Sequence, residues 1–209
     1  MRPRFHPESN LVRTVLWRRV DEPWMERCTL LAGGGRPSAT WILDGTVLGS
    51  SNGEPIDVRY SVFCHEDWTT SEVVVSAILG TWVVGVELVR DKGRWYVDAN
   101  RSPDLGEGAD VDLGFTPATN TLPIRRLGLD VGASAEILTA WVRFPEFTVE
   151  PFPQRYTRLS ERRYLYESLT SDFTAELEVD DQGLVIAYPG LWEREAEANA
   201  SANATPSTD

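Results

Sequence analysis

Lysine and histidine are scarce in this chain of 209 residues. Lys92 is the only lysine, so nearly all of the 20 basic residues are arginines, and the formal net charge is −12. Nucleic acids are polyanions, and an acidic protein without a basic cluster is repelled by them. We therefore expect no nucleic-acid partner.

The two histidines also restrict the chemistry. Only His6 and His65 are present, and no Gly-x-Ser-x-Gly motif occurs, which argues against Ser–His and Cys–His hydrolases. His65 precedes Glu66 and Asp67, and this cluster is either a metal site or a solvated strand end. Because no further ligand spacing accompanies it, we predict no tightly bound transition metal and no cofactor. Gly33-Gly34-Gly35 lacks the Gly-Lys-Ser/Thr ending of a phosphate-binding loop, so it is interpreted as a turn.

Cysteines are few, and long apolar runs are missing. Cys28 and Cys64 form no CxxC motif and lie in apolar runs, where a buried thiol acts as a small hydrophobic side chain. The N-terminal region has no continuous apolar stretch typical of a signal peptide, and no window approaches the length of a membrane span. These features predict a cytoplasmic protein without membrane insertion, and they leave its oligomeric state undetermined.

Short β-prone runs separated by turn signals predict a mainly β fold: a curved antiparallel sheet or half-open β-barrel with little helix. Hairpin turns are expected at Asp44-Gly45, at 91–94 and at 180–183. The long apolar run 73–89 is predicted to turn at 91–94 and return as 95–98. A strand is expected at 110–115.

Prolines limit two further segments of the predicted fold. Pro151 and Pro153 predict that 147–156 is an edge or irregular strand. Thr116-Pro117 is typical of a helix start, and Pro123 limits how far that helix extends.

Three regions are distinguished along the chain. Residues 1–10 are expected to be a flexible lead-in, and 11–194 to form one β domain, since 209 residues accommodate a single large domain. Residues 195–209 are rich in Ala, Asn, Ser and Thr without large apolar residues, which predicts a disordered tail.

The densest group of polar side chains lies in 110–127. Asp110 and Asp112 flank Val111, so a strand would direct both carboxylates to one face. One reading is a structural ion-pair network with Arg125 or Arg126, and the other is a ligand or catalytic site. Consecutive arginines on an extended chain point to opposite faces, so only one should face the aspartates. The apolar neighbours Ile124 and Leu127 favour Arg125.

Tryptophan is abundant, with eight residues. Six of them lie in or beside predicted strands, where a large ring belongs either to the core or to the wall of a ligand cavity. These are Trp41, Trp68, Trp82, Trp95, Trp141 and Trp192.

The sequence DVDLGFTPATNTLPIRRLGL at 110–129 resembles the signature of the Putative glycolipid-binding family, formerly a domain of unknown function. The stretches RYSVFCHEDWTT (59–70), PFPQRYTRLSERRYLYES (151–168) and FTAELEVDDQGLVIAYPGLWER (173–194) match it in order, so the resemblance covers roughly 12–194. One departure is Ala109, where the family often has a cysteine, and a role for that thiol is thereby put in doubt.

The resemblance implies a curved antiparallel sheet or half-open barrel with some likeness to the lipoprotein-carrying factors of the bacterial periplasm. It implies binding of an amphiphilic small molecule, a glycolipid or fatty-acyl compound, in a cavity lined by the sheet. The candidate ligand-binding side chains are Asp110, Asp112, Thr116, Asn120, Arg125, Gln154 and Tyr156. The alternatives are an enzyme acting on a glycosyl or acyl compound, with Asp110 and Asp112 as acid and base, and a structural protein without a small ligand.

Overall fold

A computed structural model describes residues 10–33 and 39–200 of the chain. These residues form fifteen strands and one short α-helix, and two 3₁₀ turns lie at Pro103–Leu105 and Ala118–Asn120. The strands of the first half are β1 Asn10–Arg19, β2 Met25–Ala32, β3 Trp41–Ser51, β4 Glu54–Cys64, β5 Thr70–Leu79, β6 Trp82–Asp91, β7 Arg94–Val97 and β8 Asn100–Arg101. The second half comprises β9 Asp110–Leu113, α1 Thr121–Leu127, β10 Ser134–Val142, β11 Val149–Arg158, β12 Arg163–Ser168, β13 Thr174–Val179, β14 Val185–Tyr188 and β15 Trp192–Asn199.

All fifteen strands belong to one open sheet. Its order is β8-β7-β6-β5-β4-β3-β2-β1-β15-β14-β13-β12-β11-β10-β9, and within it only β9 and β10 pair in parallel. The sheet curls so that β9 at one edge reaches β5: the Thr70 amide donates to the Ala109 carbonyl (2.9 Å) and the Val111 amide to the Thr70 hydroxyl (3.3 Å). The predicted curved, largely antiparallel sheet is confirmed.

The inside of the curl is a filled core. Along β4 the buried side chains Val58, Tyr60 and Val62 alternate with the exposed or half-buried Arg59 and Ser61, as a strand with one face on a core requires. The two cysteines are free and buried, as predicted.

The predicted turn at Asp44-Gly45 is wrong. Both residues lie in the middle of β3, and the chain turns instead at Asn52 and Gly53, each with positive φ. Gly45 is required there for steric reasons, because a Cβ atom would come within 2.2 Å of the Tyr60 ring. The glycine therefore lets Tyr60 of β4 lie across β3.

Two other regions refine the predicted elements. The hairpin at 91–94 is confirmed, but the run 73–89 consists of two strands, β5 and β6, which are joined at Gly80 with φ of +57°. In β11, residues 149–153 pair with β10 only, whereas β12 pairs from Gln154 onward. Pro151 therefore lies where β11 is locally an edge, and Pro153 lies where the interior part begins, since its carbonyl accepts from the Leu169 amide (3.0 Å).

The predicted tail begins too early. Residues 195–199 belong to β15, which pairs with β1 through Arg13↔Asn199 and Leu16↔Ala196. Arg18 also donates to the Glu195 carboxylate (2.7 Å). Alternating charged and small residues suit a strand with an exposed face, which the composition alone did not indicate. Asn10 already belongs to β1, while 1–9 and 201–209 lie outside the described residues.

We predict that a chain ending at Arg194 is less stable than one ending at Ala200. The shorter chain loses the pairing of 195–199 with β1, which should cost about 2 kcal/mol if two backbone hydrogen bonds contribute about 1 kcal/mol each. Urea denaturation of both truncated chains checks this. Coincident unfolding curves would show that the end of β15 adds nothing to stability.

Candidate ligand-binding site

A buried ion pair ties β9 to helix α1. The Asp110 side chain is fully buried and accepts hydrogen bonds from Arg126 Nε (2.9 Å) and Nη2 (2.6 Å), a two-point guanidinium–carboxylate contact. Burial raises the pKa of Asp110, and the bonds from Arg126 oppose that rise. The same bonds raise the pKa of Arg126, so the guanidinium stays charged. The pair links the two elements and leaves no exposed part of the Asp110 carboxylate for a ligand.

The expectation that Arg125 faces the aspartates is wrong. Arg125 is exposed, donates to the Asp181 carbonyl (3.3 Å) and lies over the Trp68 ring (5.3 Å). Only one arginine faces the aspartates, as predicted, but it is Arg126. Both arginines are in α1, where neighbours differ by about 100° in direction, so the apolar neighbours Ile124 and Leu127 did not identify the inward one. Helix α1 begins after the 3₁₀ turn and ends at Gly128, whose left-handed φ of 52° closes it.

Asp112 has a different environment from Asp110. It is half-buried, and its Oδ2 accepts a hydrogen bond from the Gln154 amide (2.5 Å), with the Thr119 hydroxyl as a second partner. Burial raises the pKa of Asp112 to about 6, and these two hydrogen bonds oppose the rise. Gln154 is itself buried in the interior half of β11, so its role is to orient Asp112.

Two further predicted residues are held by the same segment. The Asn120 carbonyl oxygen accepts from the Tyr156 hydroxyl (2.8 Å), and its amide donates to the Pro117 carbonyl (3.1 Å). The Thr116 hydroxyl accepts from the Ala118 amide (3.0 Å). These bonds fix the irregular chain between β9 and α1.

The Thr116 hydroxyl also reaches a buried acid that the sequence did not point out. Glu26 of β2 is fully buried, and its Oε1 accepts from Tyr60 (2.5 Å) and from Thr116 (2.7 Å). Its Oε2 has no hydrogen-bond partner among the described residues. Burial raises the pKa of Glu26 from 4.5 to about 8, against the two hydroxyl bonds, so the carboxyl is mostly neutral at pH 7.

A pocket of about 290 Å³ opens beside this segment. Asp112, Thr116 and Asn120 line it, while Gln154 and Tyr156 hold two of those residues from behind. The other predicted residues, Asp110 and Arg125, do not line it. The structure thus brings five of the seven predicted residues together in or directly behind one pocket.

The walls of the pocket are aromatic. Six rings come from β10, β11, β12, β14, β15 and the residue before β13. The ring centroids of Trp141 and Phe152, for example, lie 4.6 Å apart. The six are Trp141, Phe152, Tyr166, Phe173, Tyr188 and Trp192. Sequence reasoning named Trp141 and Trp192 as core or cavity residues, but the strand pairing that gathers all six is non-local and has no short-range signal.

A larger hollow of about 580 Å³ lies over the β1–β2 turn, at 18–25. A single stretch of chain lines it, and there the Arg19 guanidinium is paired with the Asp21 carboxylate (2.7 Å). We regard it as a turn surface and take the aromatic pocket as the candidate site, because elements from across the sheet converge there.

The acidic cluster after β4 shows no sign of a metal site. Asp67 accepts from the Thr69 amide (3.0 Å) and hydroxyl (2.6 Å), which is a local turn. Within 10–33 and 39–200, no three His, Cys, Asp or Glu side chains are grouped to hold a metal ion. None of the helices in the same ranges has the length and hydropathy to cross a membrane.

Comparisons with known proteins identify the family of the chain. The model of the family described as Putative glycolipid-binding matches residues 14–194. The chain belongs to this family. A crystal structure at 1.80 Å of a DUF1089 family protein from Pseudomonas aeruginosa is similar to it, with 34% sequence identity and a TM-score of 0.73 over 84% of this chain and 94% of that one. No curated protein matches the chain.

We predict that the two arginines of α1 differ sharply in their contribution to stability. Arg126→Ala strands the buried carboxylate of Asp110 without its cation and should lower the free energy of unfolding by about 3–5 kcal/mol. Arg125→Ala, the matched control, should cost about 0–1 kcal/mol because Arg125 is exposed and pairs with no carboxylate among the described residues. Chemical denaturation of both variants checks this, and equal losses would contradict the assigned pairing.

We also predict a pH dependence that originates at Glu26. Its pKa is higher in the folded protein than in the unfolded chain, so the native state binds more protons between about pH 5 and 8 and stability falls as pH rises. The slope due to Glu26 approaches about 1.4 kcal/mol per pH unit. Glu26→Gln should remove it, whereas the exposed Glu161→Gln should not. Denaturation series at several pH values measure the slope, and an unchanged slope in Glu26→Gln would refute the prediction.

Proposed function

We propose that this protein binds an amphiphilic small molecule, with the polar headgroup in the aromatic pocket beside 110–126. The observation that carries the proposal is the convergence of Asp112 and six aromatic rings on one pocket. Aromatic walls with a few polar groups are the usual composition of a ligand site. The family described as Putative glycolipid-binding supports a glycolipid as the ligand class.

The dimensions of the pocket limit how much of the ligand it holds. About 290 Å³ is at the small end of ligand pockets and suits one sugar-sized headgroup rather than a headgroup with a long acyl chain. An apolar chain would leave past Phe173, a lining residue that is 41% exposed. An exposed apolar side chain beside the polar groups of the pocket suits an amphiphile.

The position of the aspartates weighs against the enzyme alternative. A general acid and base must both reach the reacting groups. Asp110 is fully buried against Arg126 and does not line the pocket, so the two aspartates do not face one ligand. We therefore place binding ahead of catalysis by this pair.

Native mass spectrometry of protein purified from its host without detergent tests the proposal. We expect an adduct with the mass of a lipid on the parent protein. Ser171→Trp, which fills the exposed rim of the pocket, should remove the adduct. Asp172→Trp, one residue along the same turn and outside the pocket, should retain it. An adduct that persists in Ser171→Trp, or no adduct in any sample, would reject this site.

A further inference from the structure

The charged side chain that lines the pocket is negative. Among its fourteen lining residues only Asp112 is charged, and the others are aromatic, aliphatic, glycine, hydroxyl or amide residues. A half-buried carboxylate in such surroundings is poorly solvated, which makes an opposite charge a favourable neighbour. The pocket therefore favours positive over neutral or negative groups.

No described residue supplies that positive charge to Asp112. Arg126 is occupied by Asp110, and Arg125 extends to the Asp181 carbonyl and the Trp68 ring. The partners of Asp112 in the described part of the chain are the uncharged Gln154 and Thr119. Asp112 thus has no counter-ion among the described residues, although two arginines follow it in the same segment.

Three aromatic rings lie together in the same pocket. The centroid of Tyr166 is 6.0 Å from that of Phe173 and 6.3 Å from that of Tyr188, and the last two are also 6.3 Å apart. After burial, the charge of Asp112 is a cause of the raised pKa values of Tyr166 and Tyr188, so the carboxylate and both phenols share one electrostatic environment. Electron-rich ring faces beside a carboxylate are the usual surroundings of a bound ammonium.

Two other aromatic rings of the pocket already have a cation beside them. The Arg143 guanidinium lies 5.1 Å from the centroid of Trp141, and that of Arg19 lies 5.7 Å from the centroid of Trp192. Neither arginine lines the pocket. Cations therefore already lie against two rings of the aromatic wall, while no described Lys, Arg or His lines the pocket itself.

Two neutral polar side chains of the pocket are committed elsewhere. The Thr116 hydroxyl donates to Glu26 and accepts from Ala118, and the Asn120 amide is bonded at both its oxygen and its nitrogen. A neutral sugar could use these two side chains only by competing with the bonds they already make. A positively charged group needs only the carboxylate and the rings.

We infer that the pocket recognises a positively charged headgroup, an ammonium carried by an amino sugar or by another amine-bearing amphiphile. Asp112 is its counter-ion, and Tyr166, Phe173 and Tyr188 are its walls. This inference rests on the proposed function and deepens it by stating the charge of the headgroup.

Calorimetric titration below the critical micelle concentration tests the inference with two matched pairs of ligands. The first pair is an octyl glucosaminide with a free amine and octyl glucoside. The second is an alkyltrimethylammonium ion and its neutral analogue ending in a tert-butyl group. In each pair we expect the charged ligand to bind about tenfold more tightly. The two charged ligands are then compared with each other, and the one that binds more tightly indicates whether the ammonium comes from a sugar or from another amine.

A variant and a control separate the pocket from the overall charge of the protein. Asp112→Asn should reduce the preference for charged ligands to about twofold or less while octyl glucoside still binds. Asp130→Asn removes the same charge at an exposed position outside the pocket and should leave the preference unchanged. If it weakens the preference as much as Asp112→Asn does, bulk attraction explains the selectivity and the inference fails.

The two proposals can fail separately. Neutral ligands that bind the parent protein as tightly as charged ones, and lose binding in Ser171→Trp, overturn the charged headgroup but keep the binding function. No binding by any of the four amphiphiles overturns both. The comparison of ligands on the parent protein needs no variant, so it remains decisive even if Asp112→Asn does not fold.

Discussion

The two-point contact between Arg126 and Asp110 is the interaction on which the rest of the site depends. Asp110 begins β9, the sheet edge that curls back to β5, and Arg126 lies in the last turn of α1. Desolvating either charge alone is costly, so the pair holds the edge strand and the helix in one arrangement. The irregular chain between them, which carries Thr116 and Asn120 into the pocket, is thereby fixed at both ends.

The same pairing separates the functions of two aspartates that look equivalent in the sequence. Asp110 is neutralised by α1, whereas Asp112, two residues later, has only uncharged partners at the pocket. One carboxylate stabilises the fold, and the other lines the pocket. Beneath them, Thr116 connects the pocket to Glu26, a second acid whose burial keeps it mostly neutral at pH 7.

Local sequence patterns predicted the architecture better than the site. Alternating β-branched residues and most turn signals indicated the strands, because those patterns depend on neighbours along the chain. The turn predicted at Asp44-Gly45 was wrong because the glycine there makes room for the Tyr60 ring of the next strand and does not form a turn. The choice of Arg125 over Arg126 was wrong because it was made from the apolar neighbours Ile124 and Leu127, which do not fix a direction in a helix as they would in a strand. Glu26 and the gathering of aromatic rings depend on pairings between distant strands, for which no short motif exists.

The contact between Gly45 and Tyr60 has a consequence for how this sequence can change over time. The ring occupies the space where a side chain at position 45 would be, so the two positions behave as one unit across neighbouring strands. Any larger residue at 45 becomes acceptable only after the ring at 60 has been lost. Losing that ring also removes a hydroxyl from Glu26. Relatives that lack glycine at this place in β3 should therefore also differ at the tyrosine and at the buried acid, as a group of three linked substitutions.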